Sequence, residues 1–135
     1  MEIKRIRKSE VKQFKDEWRL ADKELGFDWN KKEYVFGVLD GKDIVGYIHI
    51  SINGGVGYLK DIIIKKSFRG KGMGIGLMEF FEGFCREKGC HKLTLSTSER
   101  HKAALKLYKK AGFKVESKMK NDRYKVVWYN LCKFL

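Results

Sequence analysis

Four glycines stand at alternate positions in the run Arg69-Gly70-Lys71-Gly72-Met73-Gly74-Ile75-Gly76. The apolar segment Ile62-Ile63-Ile64 lies just before them, and an amphipathic stretch with helical spacing comes after. Each glycine inside a helix costs about 1 kcal/mol relative to alanine. Gathering them at a helix start needs an offsetting cause, and close approach of backbone to a ligand is one. Amides without Cβ atoms beside them can lie against a phosphate. The free N–H groups and the positive end of the helix dipole then favour the anion. Two familiar phosphate loops fail on spacing: G-x-x-x-x-G-K-[ST] is absent, and Ile75 and Leu77 stand where G-x-G-x-x-G requires glycine. The pattern that fits is [QR]-x-x-G-x-[GA], as Arg69-x-x-Gly72-x-Gly74.

The chain around this feature has 135 residues, 43 % of them apolar, which suits one domain with a core that needs no disulfide or metal. No linker, repeat or low-complexity stretch interrupts it, so residues 1–135 read as a single domain. Cys85, Cys90 and Cys132 are odd in number and form no C-x-x-C pair, which disfavours a disulfide framework and a structural zinc site. The opening Met1-Glu2-Ile3-Lys4-Arg5 runs straight into charged, periodic sequence, unlike a signal peptide. No apolar run approaches the roughly 18 residues of a membrane span. These features lead us to expect a cytoplasmic, reduced protein without a membrane partner. A net charge of +13 suits an anionic partner: a phosphorylated cofactor, a nucleic acid or an acidic surface.

Period and punctuation give the order of elements. Ile3 to Arg7 is β-compatible. Ser9 can cap a helix bearing Val11, Phe14, Trp18, Ala21 and Leu25, with Gly26 as its stop. Asp40-Gly41 and Asn53-Gly54-Gly55 separate three strand-like runs, Glu33 to Asp40, Asp43 to Ser51 and Tyr58 to Lys65, as an antiparallel meander. A helix from about Gly72 to Lys88 presents Leu77, Phe80, Phe81 and Phe84 inward, and Cys85 shares that face. Lys92 to Thr97 is a strand. Ser98 can cap a helix carrying Ala104, Leu107, Tyr108 and Ala111 inward to Gly112. Phe113 to Lys120 and Arg123 to Phe134 form a closing hairpin around Asn121-Asp122. The predicted order is β-α-βββ-α-β-α-ββ, an α/β fold with a mixed sheet of six to seven strands and helices on both faces. A parallel crossover is expected at the glycine-headed helix.

Two blocks together resemble the GNAT superfamily of acyl-CoA-dependent N-acetyltransferases. One is Tyr58-Leu59-Lys60-Asp61-Ile62-Ile63-Ile64 with the Arg69 to Gly74 signature. The other, about 30 residues on, is Ala104-Leu105-Lys106-Leu107-Tyr108-Lys109-Lys110-Ala111-Gly112-Phe113, similar to the family's A-x-x-L-Y-x-x-x-G-F. The resemblance implies acetyl-CoA as cosubstrate, a primary amine as acceptor, direct attack and no metal. It implies that the backbone of Ile62, Ile63 and Ile64 runs beside the pantetheine arm. The amides of Arg69, Gly70, Lys71, Gly72, Met73 and Gly74 would then hold the pyrophosphate. Tyr108 matches the position that protonates the departing thiolate, and His101 stands where relatives carry an asparagine that contacts the cofactor. Family positions for a glutamate base are occupied by Ser96 and Lys60. Asp61 is the nearest carboxylate on that strand and is the expected base, through water.

Two other classes remain open on the sequence. A basic nucleic-acid-binding module would explain the charge but not the spacing of the two blocks, and no RNP, zinc or helix-turn-helix signature accompanies it. A CoA-binding relative without catalysis fits the missing glutamates. An anionic macromolecule as acceptor and a monomeric or homodimeric state are both compatible with these residues. His49 and His91 read as ordinary sheet and loop residues.

Overall fold

A computed structural model describes all residues, 1–135. Two compact units emerge, Met1–Asn30 and Lys31–Leu135. In the first, a 3-10 turn over Lys8–Phe14 leads into α1 (Lys15–Leu25). Gly26 stops α1 as expected, in the left-handed region at φ 73°, where Phe27 N donates to Asp22 O at 3.2 Å. Ser9 does not cap this segment. The carboxylate of Glu10 accepts from Arg7 N at 3.1 Å and from Arg7 Nε at 3.0 Å, which draws the start back to Arg7.

The expected strand at Ile3 to Arg7 does not form. Its two isoleucines are three apart and separated by cations, so it offers no alternating apolar face for a sheet to bury. The sheet accordingly has six strands, and the predicted order loses its first element.

The second unit holds β1 (Lys32–Asp40), β2 (Asp43–Asn53), β3 (Val56–Ile64), α2 (Met73–Glu87) and β4 (Lys92–Ser98). It continues through α3 (Lys102–Lys110), β5 (Lys114–Met119) and β6 (Trp128–Phe134). The strand order is β1-β2-β3-β4-β6-β5, mixed, with β3 and β4 the parallel pair on either side of the α2 crossover. The meander turns fall at the expected glycines. The last strand starts at Trp128 rather than Arg123, because Tyr124 and Lys125 have φ of 59° and 57° and form a 3-10 turn that an extended strand cannot contain. Ser98 stays in β4, buried and paired with Trp128, and His101 takes the cap position of α3.

Two irregularities of β3 free its edge and re-aim its side chains. Its ladder with β4 covers only Val56–Tyr58 against Lys92–Thr94, so the two strands part company beyond Tyr58. Against β2, His49 pairs with Asp61 and Ile50 with Leu59, leaving Lys60 as an inserted residue. Such a bulge resets the side-chain alternation. Lys60 and Asp61 are therefore both exposed, while Ile62 and Ile64 return toward the interior.

The core joins Ile48, Ile50 and Leu59 of the meander to Leu93, Leu95 and Leu131. Met78, Phe81 and Cys85 of α2 and Tyr108 of α3 complete it. The inward stripe of α2 is thus rotated slightly from the expected one. Leu77 and Phe84 are half-buried, whereas Phe80 is 41 % exposed and packs edge-on to Phe36 at 4.9 Å. Phe81 stacks on Phe113 with centroids 6.4 Å apart.

Cys85 has no exposed surface, and burial pushes its thiol from 9.0 up to about 12. In the unfolded chain this thiol ionises first, so the stability it carries is complete below 9.0 and is lost as pH rises toward about 12. Urea unfolding between pH 8 and 10.5 is expected to show an unfolding free energy falling by up to about 1.4 kcal/mol per pH unit above the lower value. Cys85→Ala should flatten that slope. An equal slope in the variant would assign the effect elsewhere.

Candidate active site

Where β3 and β4 diverge, a cleft of ≈ 310 Å³ opens, lined by Ile62, Ile63, Ile64, Arg69, Gly74, Ala103, Ala104, Leu107 and Tyr108. Its size is that of a small-ligand pocket. One wall is the edge of β3 that has lost its strand partner, so backbone groups there are free for an extended ligand. The opposite wall is α3, whose Ala103/Leu107 and Ala104/Tyr108 pairs are each four residues apart and share a face. Ala103 is the lining residue that the sequence did not single out. Its signal was available: a small residue one turn before a leucine on the same helix.

The floor is the start of α2. Gly70 and Gly72 have φ of 77° and 79°, a region that L side chains rarely adopt, and Gly72 is the cap residue. The first helical bond is Gly76 N to Gly72 O at 3.2 Å, and no side chain caps the helix. The N–H groups of Met73, Gly74 and Ile75 are therefore left for a ligand. A Cβ on Gly74 would lie 3.2 Å from Leu107 Cδ2, so glycine there lets α2 and α3 approach closely. Glycine at 72 answers to backbone conformation, glycine at 74 to packing.

The other expected residues divide. Arg69 Nε donates to Ile64 O at 2.8 Å, bracing the end of β3 while its guanidinium lines the cleft. Lys71 Nζ lies 5.3 Å from the Phe68 ring centroid. Gly70, Lys71 and Gly72 lead into α2 and Met73 begins it, all outside the cleft lining; His101, the cap residue of α3, also lies outside it, with its Nδ1 3.2 Å from Thr97 Oγ1. Tyr108 is 8 % exposed, and burial alone raises its phenol above the ordinary 10.0.

Asp61 does not line the cleft but immediately precedes Ile62 and points from the other side of β3. Its Oδ2 is 3.7 Å from His49 Nδ1. His49 Nε2 is in turn 3.8 Å from Glu33 Oε1, which accepts from Lys60 Nζ at 2.7 Å and has Lys31 Nζ at 3.6 Å. The hydrogen bond from Lys60 holds the Glu33 carboxyl below its ordinary value, and the same bond holds the Lys60 ammonium above its own. His49, which the sequence reads as an ordinary sheet residue, thus joins Asp61, Glu33 and Lys60 in one cluster. Only strand register brings residues 33, 49 and 61 together.

The acetyltransferase (GNAT) family model matches residues 3–113. The chain belongs to the acetyltransferase (GNAT) family. Among solved structures, an acetyltransferase from Bacillus cereus ATCC 14579 superposes with a TM-score of 0.84 over 100 % of this chain and 98 % of that one, at 18 % identity. The Bacillus subtilis acetyltransferase in complex with CoA gives 0.72 over 99 % and 97 %, at 16 % identity. At such identities these structures establish a GNAT fold. The glucosamine 6-phosphate N-acetyltransferase of Trypanosoma brucei brucei is 37 % identical over 68 residues, 50 % of this chain and 44 % of that protein. Thialysine N-epsilon-acetyltransferase of Bos taurus is 36 % identical over 55 residues, 41 % and 32 % respectively. The matched region spans less than half the length of these curated relatives.

Proposed function

We propose that this GNAT-family chain transfers the acetyl group of acetyl-CoA to a primary amine by direct attack. The observation that carries the reading is the coincidence, in one cleft, of an unpaired β3 edge, an uncapped α2 start and a buried phenol. Each suits a different part of an acyl-CoA. The β3 edge at Ile62, Ile63 and Ile64 offers amides and carbonyls to the pantetheine arm as an added strand would. The loop from Arg69 to Gly74 offers N–H groups to the pyrophosphate. Tyr108, kept protonated by its burial, is placed to give its proton to the leaving thiolate. Asp61, on β3, serves removal of the proton from the acceptor ammonium through water. His101, beside Thr97 at the cap of α3, precedes the turn of that helix whose Ala103 and Ala104 line the cleft. The bound thioester supplies the activated acyl carbon.

The family model crosses both compact units, which supports reading residues 1–135 as one N-acetyltransferase-like domain. We place its work in the cytoplasm, where Cys85, Cys90 and Cys132 stay as free thiols. The relatives are named for a phosphorylated amino sugar and for an amino acid, and both offer a primary amine. That shared group supports a primary amine as the acceptor class.

Thermal unfolding with and without acetyl-CoA, at low and high salt, tests the cofactor half. A hundredfold excess over Kd adds about 2.7 kcal/mol, a rise on the order of 5–10 °C, at both salt levels. A shift seen only at low salt would instead mark a polyanion-binding surface. Acetyl-CoA consumption over amino sugars, amino acids, polyamines and peptide N-termini reads the other half.

A further inference from the structure

We infer that His49 accepts the proton of the acceptor ammonium, with Asp61 and Glu33 as the residues that position its ring. The inference rests on the acetyl-transfer reading and deepens it, because Asp61 then acts through an imidazole rather than through water alone.

The cluster sits on the exposed face of the meander. Register places His49 of β2 directly opposite Asp61 of β3, and the bulge at Lys60 turns Asp61 onto the face that His49 shares. The two ring nitrogens look in opposite directions, Nδ1 to Asp61 Oδ2 at 3.7 Å and Nε2 to Glu33 Oε1 at 3.8 Å. Ionised carboxylates only accept hydrogen bonds. A neutral imidazole has one N–H and can serve one of them; the protonated ring has one for each. At 3.8 and 3.7 Å these are ion-pair distances, so both carboxylates attract a proton on the ring and neither holds it in a hydrogen bond. Glu33 is fixed on the far side by Lys60 and Lys31, which also offset its charge. A proton on Nε2 directed at Glu33 leaves the Nδ1 lone pair facing Asp61 and the β3 edge, one residue from Ile62 in the cleft.

The groups facing His49 are few. β1 contributes Val35, its register partner, and Glu33 with Lys31 beside it. β3 contributes Asp61 and Lys60, with Tyr58 close to Lys60. The His49 side chain is 22 % exposed, so an amine reaching the β3 edge from this face can touch it.

Protons and electron pairs balance along this route. The ammonium gives one proton to Nδ1, and the freed nitrogen pair forms the C–N bond to the thioester carbonyl carbon. The C–S bond breaks with its pair on sulfur, and the thiolate takes the Tyr108 proton. The second proton shed as the nitrogen becomes an amide restores the Tyr108 phenol, and the imidazolium releases its own to solvent.

The test measures kcat/KM for acetyl transfer between pH 5.5 and 9.5 in the wild type and in His49→Gln. Two acceptors are used, an alkylamine and an aromatic amine that is already unprotonated at assay pH. Wild type should lose activity as the pH falls, because an imidazole that already carries its proton cannot take the ammonium's. His49→Gln should fall about 10²-fold with the alkylamine, lose that imidazole limb, and change little with the aromatic amine. Its acetyl-CoA thermal shift should remain. Asp61→Asn, at a side chain 56 % exposed, should show a smaller loss in the same pattern and covers the case in which His49→Gln fails to fold. A variant with wild-type rate and profile, or one impaired equally toward both amines, overturns the role of His49. A wild type that binds acetyl-CoA yet acetylates no amine overturns the transfer reading instead, and this inference with it.

Discussion

Gly72→Glu is expected to abolish stabilisation by acetyl-CoA while leaving a folded protein. A Cβ at this position meets nothing within 4 Å, so the side chain can leave the backbone without a clash. The cost to stability is the left-handed backbone at φ 79°, about 1–2 kcal/mol for a residue with a Cβ. The cost to binding is far larger. Glutamate places bulk and a negative charge at the helix start where Met73, Gly74 and Ile75 present their N–H groups, in the space proposed for the pyrophosphate. Two like charges about 4 Å apart repel by about 4 kcal/mol at an effective dielectric of 20, enough alone for a loss of nearly 10³-fold in affinity. Gly72→Ala separates the two effects: it carries the same backbone strain without the charge and should keep a reduced thermal shift. A Gly72→Glu protein that melts higher in acetyl-CoA, as the wild type does, would show that the phosphate end lies elsewhere. Gly74 is the informative contrast, since a side chain there would press on Leu107 and loosen the α2–α3 contact before any ligand arrived.

The same two glycines show what a sequence can and cannot disclose. Their clustering at a strand-to-helix junction is visible without coordinates because glycine is penalised in helices, so its presence marks a backbone requirement. Which requirement applies at each position is a tertiary fact: φ at 72, a leucine from another helix at 74. The meander was legible for a similar reason, since Asp-Gly and Asn-Gly turns fix hairpin register locally. Ile3 to Arg7 misleads because short extended segments become strands only by pairing, and pairing partners are not written in five residues. The His49 cluster lay beyond reach for the opposite reason. It needs the register of two strand pairs and one bulge at Lys60, and each shifts which residues share a face by a single position. A one-residue slip would turn Asp61 away from His49 altogether. The cleft residues Ile62, Ile64 and Tyr108 were within reach because they sit in short motifs, and a motif survives uncertainty about register.

Tyr108→Phe is expected to lower kcat by about 10²-fold with little change in acetyl-CoA binding. The substitution removes one oxygen from a ring that is 8 % exposed and keeps its packing against α2 and the sheet, so folding should be unaffected. Burial raises the phenol above the ordinary 10.0, so its proton stays in place through neutral pH and any alkaline limb from Tyr108 begins above that value. The donor is therefore present across the working range, and its loss should appear as a pH-independent drop rather than as a shifted profile. That behaviour separates it from His49, whose loss should remove a limb. The leaving group offers a second discrimination. A thiolate that needs protonation to depart gains most from a nearby phenol; an aryl thioester, whose thiolate is more stable, gains least. The deficit of Tyr108→Phe should shrink when acetyl-CoA is replaced by an acyl donor with such a leaving group that still binds the cleft. Equal turnover of the variant and wild type with acetyl-CoA at every pH would leave Tyr108 as a wall of the cleft and nothing more, and would make solvent the source of the thiol proton.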